Sequence, residues 1–145
     1  MTVELVQARN DQRFADPALT GEWADFIAGY DFTKERPPWC SYLIECDGEP
    51  AGIAGFRGPP DPDGWVEAAY MVFVPLRGRG IATMAARRLI EVAARQGVTP
   101  VYGLTLPEMN ASTSVLQKVG FTLAGESTDS DEGPVWRWEI EIDPI

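Results

Sequence analysis

Alternating apolar and polar residues predict strands along much of the chain. Residues 3–7, VELVQ, alternate in the manner of a short strand. The segments SYLIEC and PAGIAGF flank DGE, so Asp47-Gly48 predicts the turn of a hairpin. A long strand is predicted from Trp65 to Val74, and its continuous apolar second half indicates burial on both faces. Three more strands are predicted at VTPVYGLTL, FTLAGEST and PVWRWEIEI, the last two joined by the acidic loop DSDEG.

Apolar residues at helical spacing predict helices in three other segments. The first helix starts near Leu19 and has apolar residues at Trp23, Phe26, Ile27 and Tyr30. The prolines of ERPPW end regular structure after it. The second helix has one apolar stripe, over residues 81–93, and ends at Gly97.

The third predicted helix is short. Asn110 or Ser112 caps it, Gly120 closes it, and its inward residues are Val115, Leu116 and Val119. Together the elements predict a mixed α/β domain built on a central sheet. A length of 145 residues suits one domain with its own core.

Composition narrows the class of protein. No apolar run approaches the roughly 20 residues that span a bilayer, and MTVELVQARNDQRF contains acids and no apolar signal core. We therefore expect a cytoplasmic protein without a membrane partner. The formal net charge of −10 argues against nucleic acid, because phosphate contacts require a positive face. It favours cationic partners instead.

The chain contains no histidine, which restricts its chemistry. Ser-His-Asp and Cys-His catalysis are excluded, as is nearly all zinc chemistry, and we expect no metal. Cys40 and Cys46 are interpreted as reduced thiols without a catalytic role. Any general base must then be a carboxylate, an amine, a tyrosine or water.

The stretch VPLRGRGIAT, residues 74–83, lies where a strand gives way to a helix. Its glycines let a ligand approach the main chain, and the first N–H groups of a helix are unpaired donors with a favourable dipole. Such a junction suits an anion, and we predict a phosphate.

The same stretch, with its context, resembles the GNAT superfamily of acyl-CoA-dependent N-acetyltransferases. The phosphate-binding signature of that family appears as Arg77-Gly78-Arg79-Gly80-Ile81-Ala82. The later PEMNASTSVLQKVGF resembles its second signature, a capped helix that ends in Gly-Phe. WVEAAYMVFVPLRGRGIAT is similar to the RimJ/RimL-like, ribosomal-protein branch. The likeness spans residues 51–142, and residues 1–50 fit only as the expected strand, helix and hairpin.

The resemblance implies a single α/β (α+β) domain over residues 1–145. Its central mixed, mostly antiparallel sheet has about six to seven strands, flanked by about four helices. A dinucleotide-binding domain is the rival interpretation of the glycines. It requires an acid at the end of the next strand, and the segment from Val101 to Pro107 contains none.

The resemblance further implies acetyl-CoA as co-substrate. Its pyrophosphate would lie on the N–H groups of residues 77–82, its pantetheine arm beside residues 71–74, and its thioester carbonyl near the amides around Val72. The implied coenzyme residues are Met71, Val72, Val74, Arg77, Gly78, Arg79, Gly80, Ile81, Ala82, Thr83 and Asn110. The alternatives are a plain tight turn for the glycines, solvated charges for the arginines and a plain helix cap for Asn110.

Glu67, an isolated acid in an apolar strand, is the predicted general base that deprotonates the acceptor amine. The alternative is a solvent-facing residue that keeps the sheet soluble. Many relatives protonate the departing thiolate with a tyrosine at the position of Leu116. Here either Ser112, Ser114 or water substitutes, or the thiolate leaves unassisted. Tyr70 and Trp39 are predicted to contact the acceptor, and packing is the alternative for both.

The sequence thus predicts direct transfer of an acetyl group from acetyl-CoA to a primary amine, either a protein N-terminus or a small cationic amine. The acids of PPDPDG and ESTDSDEG either flank the acceptor cleft or form solvated turns. An inactive acyl-CoA-binding sensor or scaffold is the alternative function, and transfer of a longer acyl chain also stays open. Exposed sheet edges make a homodimer a further expectation.

Overall fold

A computed structural model describes residues 1–21 and 23–143 of the chain. Its strands are β1 (Val3–Gln7), β2 (Ser41–Cys46), β3 (Glu49–Phe56), β4 (Val66–Val72), β5 (Pro100–Thr105), β6 (Thr122–Asp129) and β7 (Gly133–Glu141). Its α-helices are α1 (Pro17–Thr20), α2 (Trp23–Gly29), α3 (Ile81–Arg95) and α4 (Ala111–Val119).

Within this described part, the seven strands form one sheet in the order β1-β2-β3-β4-β5-β7-β6. Neighbouring strands are antiparallel except β4 and β5, which are parallel. The predicted fold class, a mixed and mostly antiparallel sheet with four helices, is confirmed.

The hairpin of β2 and β3 turns at the predicted dipeptide. Asp47 and Gly48 have φ values of 51° and 83°, so both central residues are left-handed. Cys46 pairs with Glu49 directly across the turn. This backbone matches the twist of paired strands, which explains why Asp-Gly is a strong hairpin signal.

The first predicted helix is not continuous. A single turn, α1, ends at Gly21, whose φ of 60° breaks the helix before α2 begins at Trp23. The apolar stripe of this predicted helix is also only partly buried. Ile27 is buried, but Trp23 and Phe26 are 39% and 48% exposed. Their rings meet edge to face with centroids 5.7 Å apart, so part of the helical pattern reflects aromatic contacts at the surface.

The predicted strand from Trp65 to Val74 is shorter than expected at both ends. Regular pairing starts at Val66 and stops at Val72. Residues 74–76 form a 3-10 turn that includes Pro75, which has no N–H to offer a neighbouring strand. Val74 is 69% exposed, so the prediction that it is buried within the strand is wrong.

The two later helices follow their predicted patterns. α3 buries the apolar stripe formed by Ile81, Ala85, Leu89 and Ala93. α4 starts at Asn110, which forms a capping box with Thr113, and ends at Gly120 with a φ of 114°. Asn110, rather than Ser112, is therefore the cap.

The sheet buries a different apolar cluster on each face, and this separation defines the two sides of β4. Val72, Ala68 and Tyr70 belong to the cluster packed with α3, whereas Met71 belongs to the cluster that contains Ile27 of α2. Because side chains alternate along a strand, Glu67 and Ala69 lie on the same face as Met71. The helix pair α3/α4 covers one side of β4, and α2 lies on the other.

Candidate active site

A gap opens between β4 and β5. The two strands pair only at Val66 with Val101 and at Glu67 with Tyr102, while β4 stays paired with β3 as far as Val72. We call the space between β4 and β5 beyond these two pairs the gap. It divides the parallel pair at the centre of the sheet.

The edge of β4 presents backbone donors and acceptors to the gap. Arg57 donates its N–H to the carbonyl of Glu67, and Phe73 donates to that of Ala51, so the odd-numbered residues of β4 direct their backbone groups to β3. By the alternation of an antiparallel ladder, the backbone groups of Ala68, Tyr70 and Val72 point into the gap. The carbonyl of Val72 accepts a hydrogen bond from Arg77 Nε at 2.9 Å.

A cavity of about 590 Å³ lies between this edge, the glycine-rich turn and α4; we call it the glycine-loop cavity. Predicted residues that line it are Tyr70, Met71, Val72, Arg77, Gly78, Gly80, Ile81, Ala82, Thr83, Asn110 and Ser112. Ser114, the other serine considered for protonating the thiolate, also lines it, as do Leu76, Ala111, Val115 and Lys118. Two predicted coenzyme residues lie off its lining: Arg79 is exposed, and Val74 lines a separate cavity of about 360 Å³ beside α1.

The glycine-rich turn is left-handed at both glycines and leads directly into α3. Gly78 and Gly80 each have a φ of 82°, and a Cβ at either position would meet no atom closer than 4.0 Å. The first helical hydrogen bond of α3 runs from Met84 N to Gly80 O, so the three preceding N–H groups have no helical acceptor. Glycine is therefore required by the backbone here, not by crowding.

The charges at this cavity are positive. Arg77 and Lys118 line it, and among its described lining residues there is no carboxylate. In a chain of net charge −10 this local reversal favours an anionic ligand. Lys118 was missed at the sequence level, because only the capped α4 turns its side chain toward the glycine-rich turn.

A second cavity, of about 320 Å³, carries the opposite charge; we call it the acidic cavity. Its carboxylates are Glu67, Asp129 and Glu132, and Arg57 is its cation. Asn110 and Ser112 line both cavities, so the two meet at the start of α4.

The two acidic loops, PPDPDG and ESTDSDEG, lie in different positions relative to the acidic cavity. Asp129 and Glu132, around the β6–β7 turn, line the acidic cavity. Asp61 of PPDPDG accepts hydrogen bonds from the N–H groups of Asp63 and Trp65 at 3.0 and 2.9 Å. These hydrogen bonds stay within the loop of Asp61, which agrees with the alternative that this loop is a solvated turn.

Glu67 lines the acidic cavity, and its side chain is 18% exposed. Its Oε2 is 3.3 Å from Arg57 Nε, and its Oε1 accepts a hydrogen bond from the Tyr102 hydroxyl at 3.3 Å. Burial, together with the charge of Glu67, raises the pKa of Tyr102. The sequence did not reveal these partners, because only the sheet register brings Tyr102 beside Glu67.

Tyr70 lies on the other side of β4, in the glycine-loop cavity. Its hydroxyl donates to the backbone carbonyl of Ser112 at 3.3 Å, and burial raises its pKa. This position puts it beside the predicted coenzyme residues instead of the acidic cavity. Leu116 is buried, and its methyl groups lie close to Gly103 of β5.

Comparison with known proteins identifies the family of this chain. The sequence profile of the GNAT acetyltransferase domain matches residues 3–122. The chain belongs to the GNAT acetyltransferase family. None of the curated proteins compared with the chain matches it.

Solved structures share this GNAT fold. RimL, a ribosomal L7/L12 α-N-protein acetyltransferase solved with coenzyme A, is 19% identical, with a TM-score of 0.79 over 100% of this chain and 97% of that one. The Salmonella typhimurium acetyltransferase that modifies the N-terminal serine of L7/L12 is 21% identical, with a TM-score of 0.77 over 99% and 96%. The microcin C7 self-immunity acetyltransferase, solved with acetyl-CoA and AMP, is 18% identical, with a TM-score of 0.68 over 82% and 69%. At these identities the likeness is one of fold.

Several predicted residues of this GNAT domain lie away from both cavities. Trp39 packs edge to face on Phe56 with ring centroids 5.1 Å apart, and it lines neither cavity. Cys40 is buried, which raises the pKa of its thiol, and both it and Cys46 are free.

Among residues 1–21 and 23–143, no group of three metal-binding side chains comes together, and no helix is long and apolar enough to cross a membrane.

Proposed function

We propose that this GNAT domain transfers an acetyl group directly from acetyl-CoA to a primary amine. One observation carries the proposal: a cationic cavity and an acidic cavity meet at the gap beside β4. An anionic coenzyme suits the first cavity and a cationic acceptor the second. The two reactants would then approach each other through the sheet, without a covalent enzyme intermediate.

The glycine-loop cavity would hold the coenzyme. The first N–H groups of α3, at Ile81, Ala82 and Thr83, would bind the pyrophosphate, with Arg77 and Lys118 compensating its charge. The pantetheine arm would lie in the gap, where the backbone of β4 offers a strand-like edge. The N–H of Val72 points into the gap and would polarise the thioester carbonyl.

The acidic cavity would hold the acceptor as its ammonium form. Three carboxylates face one guanidinium there, so a positive amine is favoured over a neutral or anionic one. The acceptor is either a protein N-terminus or a small cationic amine. The names of RimL and of the Salmonella enzyme, which describe protein N-terminal acetylation, support the first.

Glu67 would accept a proton from the ammonium group, directly or through water, because only the neutral amine attacks a thioester. The amine nitrogen then bonds to the acetyl carbon, and the carbon–sulfur bond breaks. Ser112 lines both cavities, and its hydroxyl would relay to the departing thiolate the second proton, which the nitrogen gives up as the amide forms. A thiol is acidic enough that this last assistance is a modest part of the barrier.

Calorimetric titration with acetyl-CoA and free CoA tests the proposal, followed by an assay of thiol release on the same sample. The amine panel contains spermidine, glucosamine and a pentapeptide with a free N-terminal serine. We expect binding of both coenzyme forms and thiol release with at least one amine. Absence of binding would refute the coenzyme site, and binding without release would favour the acyl-CoA sensor over the enzyme.

Replacement of both cysteines tests direct transfer. The Cys40→Ala, Cys46→Ala variant should keep kcat within about two-fold, because the buried Cys40 thiol has a raised pKa and neither sulfur lines a cavity described above. A thermal melt checks that the variant is folded. Loss of turnover in a folded sample would point to a thioester intermediate on the enzyme and contradict the ternary mechanism.

A further inference from the structure

The two carboxylate oxygens of Glu67 have different kinds of partner. Oε1 accepts from the Tyr102 hydroxyl, and Oε2 faces Arg57 Nε, each at 3.3 Å. The other charged groups around them are Asp129 and Glu132 of the acidic cavity, Arg137 and Glu139 on β7, and Asp61 near Tyr102. The two partners differ in how firmly the structure holds them.

Tyr102 is held firmly. It lies in β5, paired with Glu67 on one side and with Glu139 of β7 on the other. The Arg137 guanidinium lies 3.8 Å from the centre of its ring, a cation–π contact. Arg137 is fixed in turn by a 2.7 Å hydrogen bond from its Nε to Glu139. The hydroxyl that meets Oε1 therefore belongs to a residue whose backbone is paired on both sides and whose ring is covered by Arg137.

Arg57 is held loosely. It follows the last residue of β3, its side chain is 66% exposed, and Gly58 comes next with a φ of 113°. Glu67 is the one ion-pair partner seen for it among the described residues. Exposed pairs of this kind are weak, because both ions are well solvated when apart.

We infer that Arg57 is a placeholder cation, which the acceptor ammonium displaces from Oε2 of Glu67, and that Tyr102 is the positioning residue that holds Glu67 during the exchange. The inference rests on the proposed function and deepens it by assigning one atom to the acceptor. An ammonium group carries the same charge as the guanidinium and bonds to the same oxygen. With Oε1 anchored by Tyr102, Oε2 stays in place when Arg57 leaves.

Arg57→Gln tests the placeholder. The assay uses the amine of the panel that is turned over fastest. We expect KM for this acceptor to fall about two- to five-fold, which corresponds to the free energy of an exposed ion pair. kcat and KM for acetyl-CoA should change little. The decrease should shrink at high salt, because screening weakens the competing charge. Arg87→Gln, an exposed arginine of α3, is the control for the lost charge. An acceptor KM that is unchanged or higher would overturn the inference.

Tyr102→Phe tests the positioning role. We expect kcat to fall about ten-fold, in line with loss of a hydrogen bond to a charged group. KM for the acceptor and KM for acetyl-CoA should stay constant, so the loss lies in kcat alone, because the charge of Glu67 that binds the ammonium remains while its carboxylate is no longer held in place. Tyr42→Phe, whose hydroxyl bonds to the Pro38 carbonyl, is the matched control. An unchanged kcat in a folded variant would remove Tyr102 from the assignment.

Failure of this inference is distinguishable from failure of the proposed function. If no amine is acetylated, the proposed function fails and the inference falls with it. If amines are acetylated and Glu67→Gln is fully active, the acetyltransferase stands, but the role of Glu67 and this inference both fail. If Glu67→Gln is inactive while Arg57→Gln leaves the acceptor KM unchanged, only the placeholder is refuted.

Discussion

Gly80→Asp is expected to weaken acetyl-CoA binding at least about 100-fold while the protein stays folded. The N–H groups that follow Gly80 would meet the pyrophosphate, and an aspartate places a negative charge beside it. A Cβ at this position has room, since the nearest atom is the Met1 Cε at 4.0 Å. The left-handed φ of 82° costs an L residue about 1 kcal/mol. Calorimetry with acetyl-CoA and a thermal melt measure the two effects separately.

Gly80→Asn is the matched control. Asparagine has nearly the shape of aspartate and the same strain at a left-handed φ, but no charge. The two variants should therefore melt at similar temperatures, with the asparagine variant binding acetyl-CoA far more tightly than the aspartate variant. Equal affinities would show that the loop does not bind the pyrophosphate and would leave its glycines as a plain tight turn.

Glu67→Gln is expected to lower kcat by about 100- to 1,000-fold, the range typical of a lost general base. The amide keeps the shape of the side chain and an oxygen for the Tyr102 hydroxyl, but it cannot take a proton. Because Glu67 lies on the α2 side of β4, away from the glycine-rich turn, the Kd of acetyl-CoA should be unchanged.

A comparison of kcat with stability discriminates between a base and a merely structural carboxylate. Loss of a base lowers kcat in a folded variant that still binds acetyl-CoA, whereas loss of a structural carboxylate lowers the melting temperature and leaves kcat near that of the parent protein. Glu4→Gln, an exposed residue of β1, is the control for charge. A folded Glu67→Gln variant with normal kcat would support the solvent-facing alternative for this residue.

Local sequence signals predicted most of the fold, because each one acts through the backbone of adjacent residues. Asp47-Gly48 fixes a left-handed turn, and Gly120 closes α4 through its own positive φ. The first helix was predicted poorly. There the exposed aromatics Trp23 and Phe26 imitate the spacing of a core stripe, and only packing shows that they pair at the surface.

The sequence by itself determined the family and the left-handed glycines of the turn at residues 77–83, because these features reside in consecutive residues of the chain. Anion binding by that turn stays a prediction. The roles assigned to Glu67 and Ser112, the homodimer and the cytoplasmic location stay predictions. The tertiary structure alone decided that Glu67 faces Arg57 and Tyr102, that Tyr70 lies on the opposite side of β4, and that one acidic loop reaches the acidic cavity. The physical reason is pairing: β4 and β5 are joined for only two residues, and where they part sets which side chains meet across the gap.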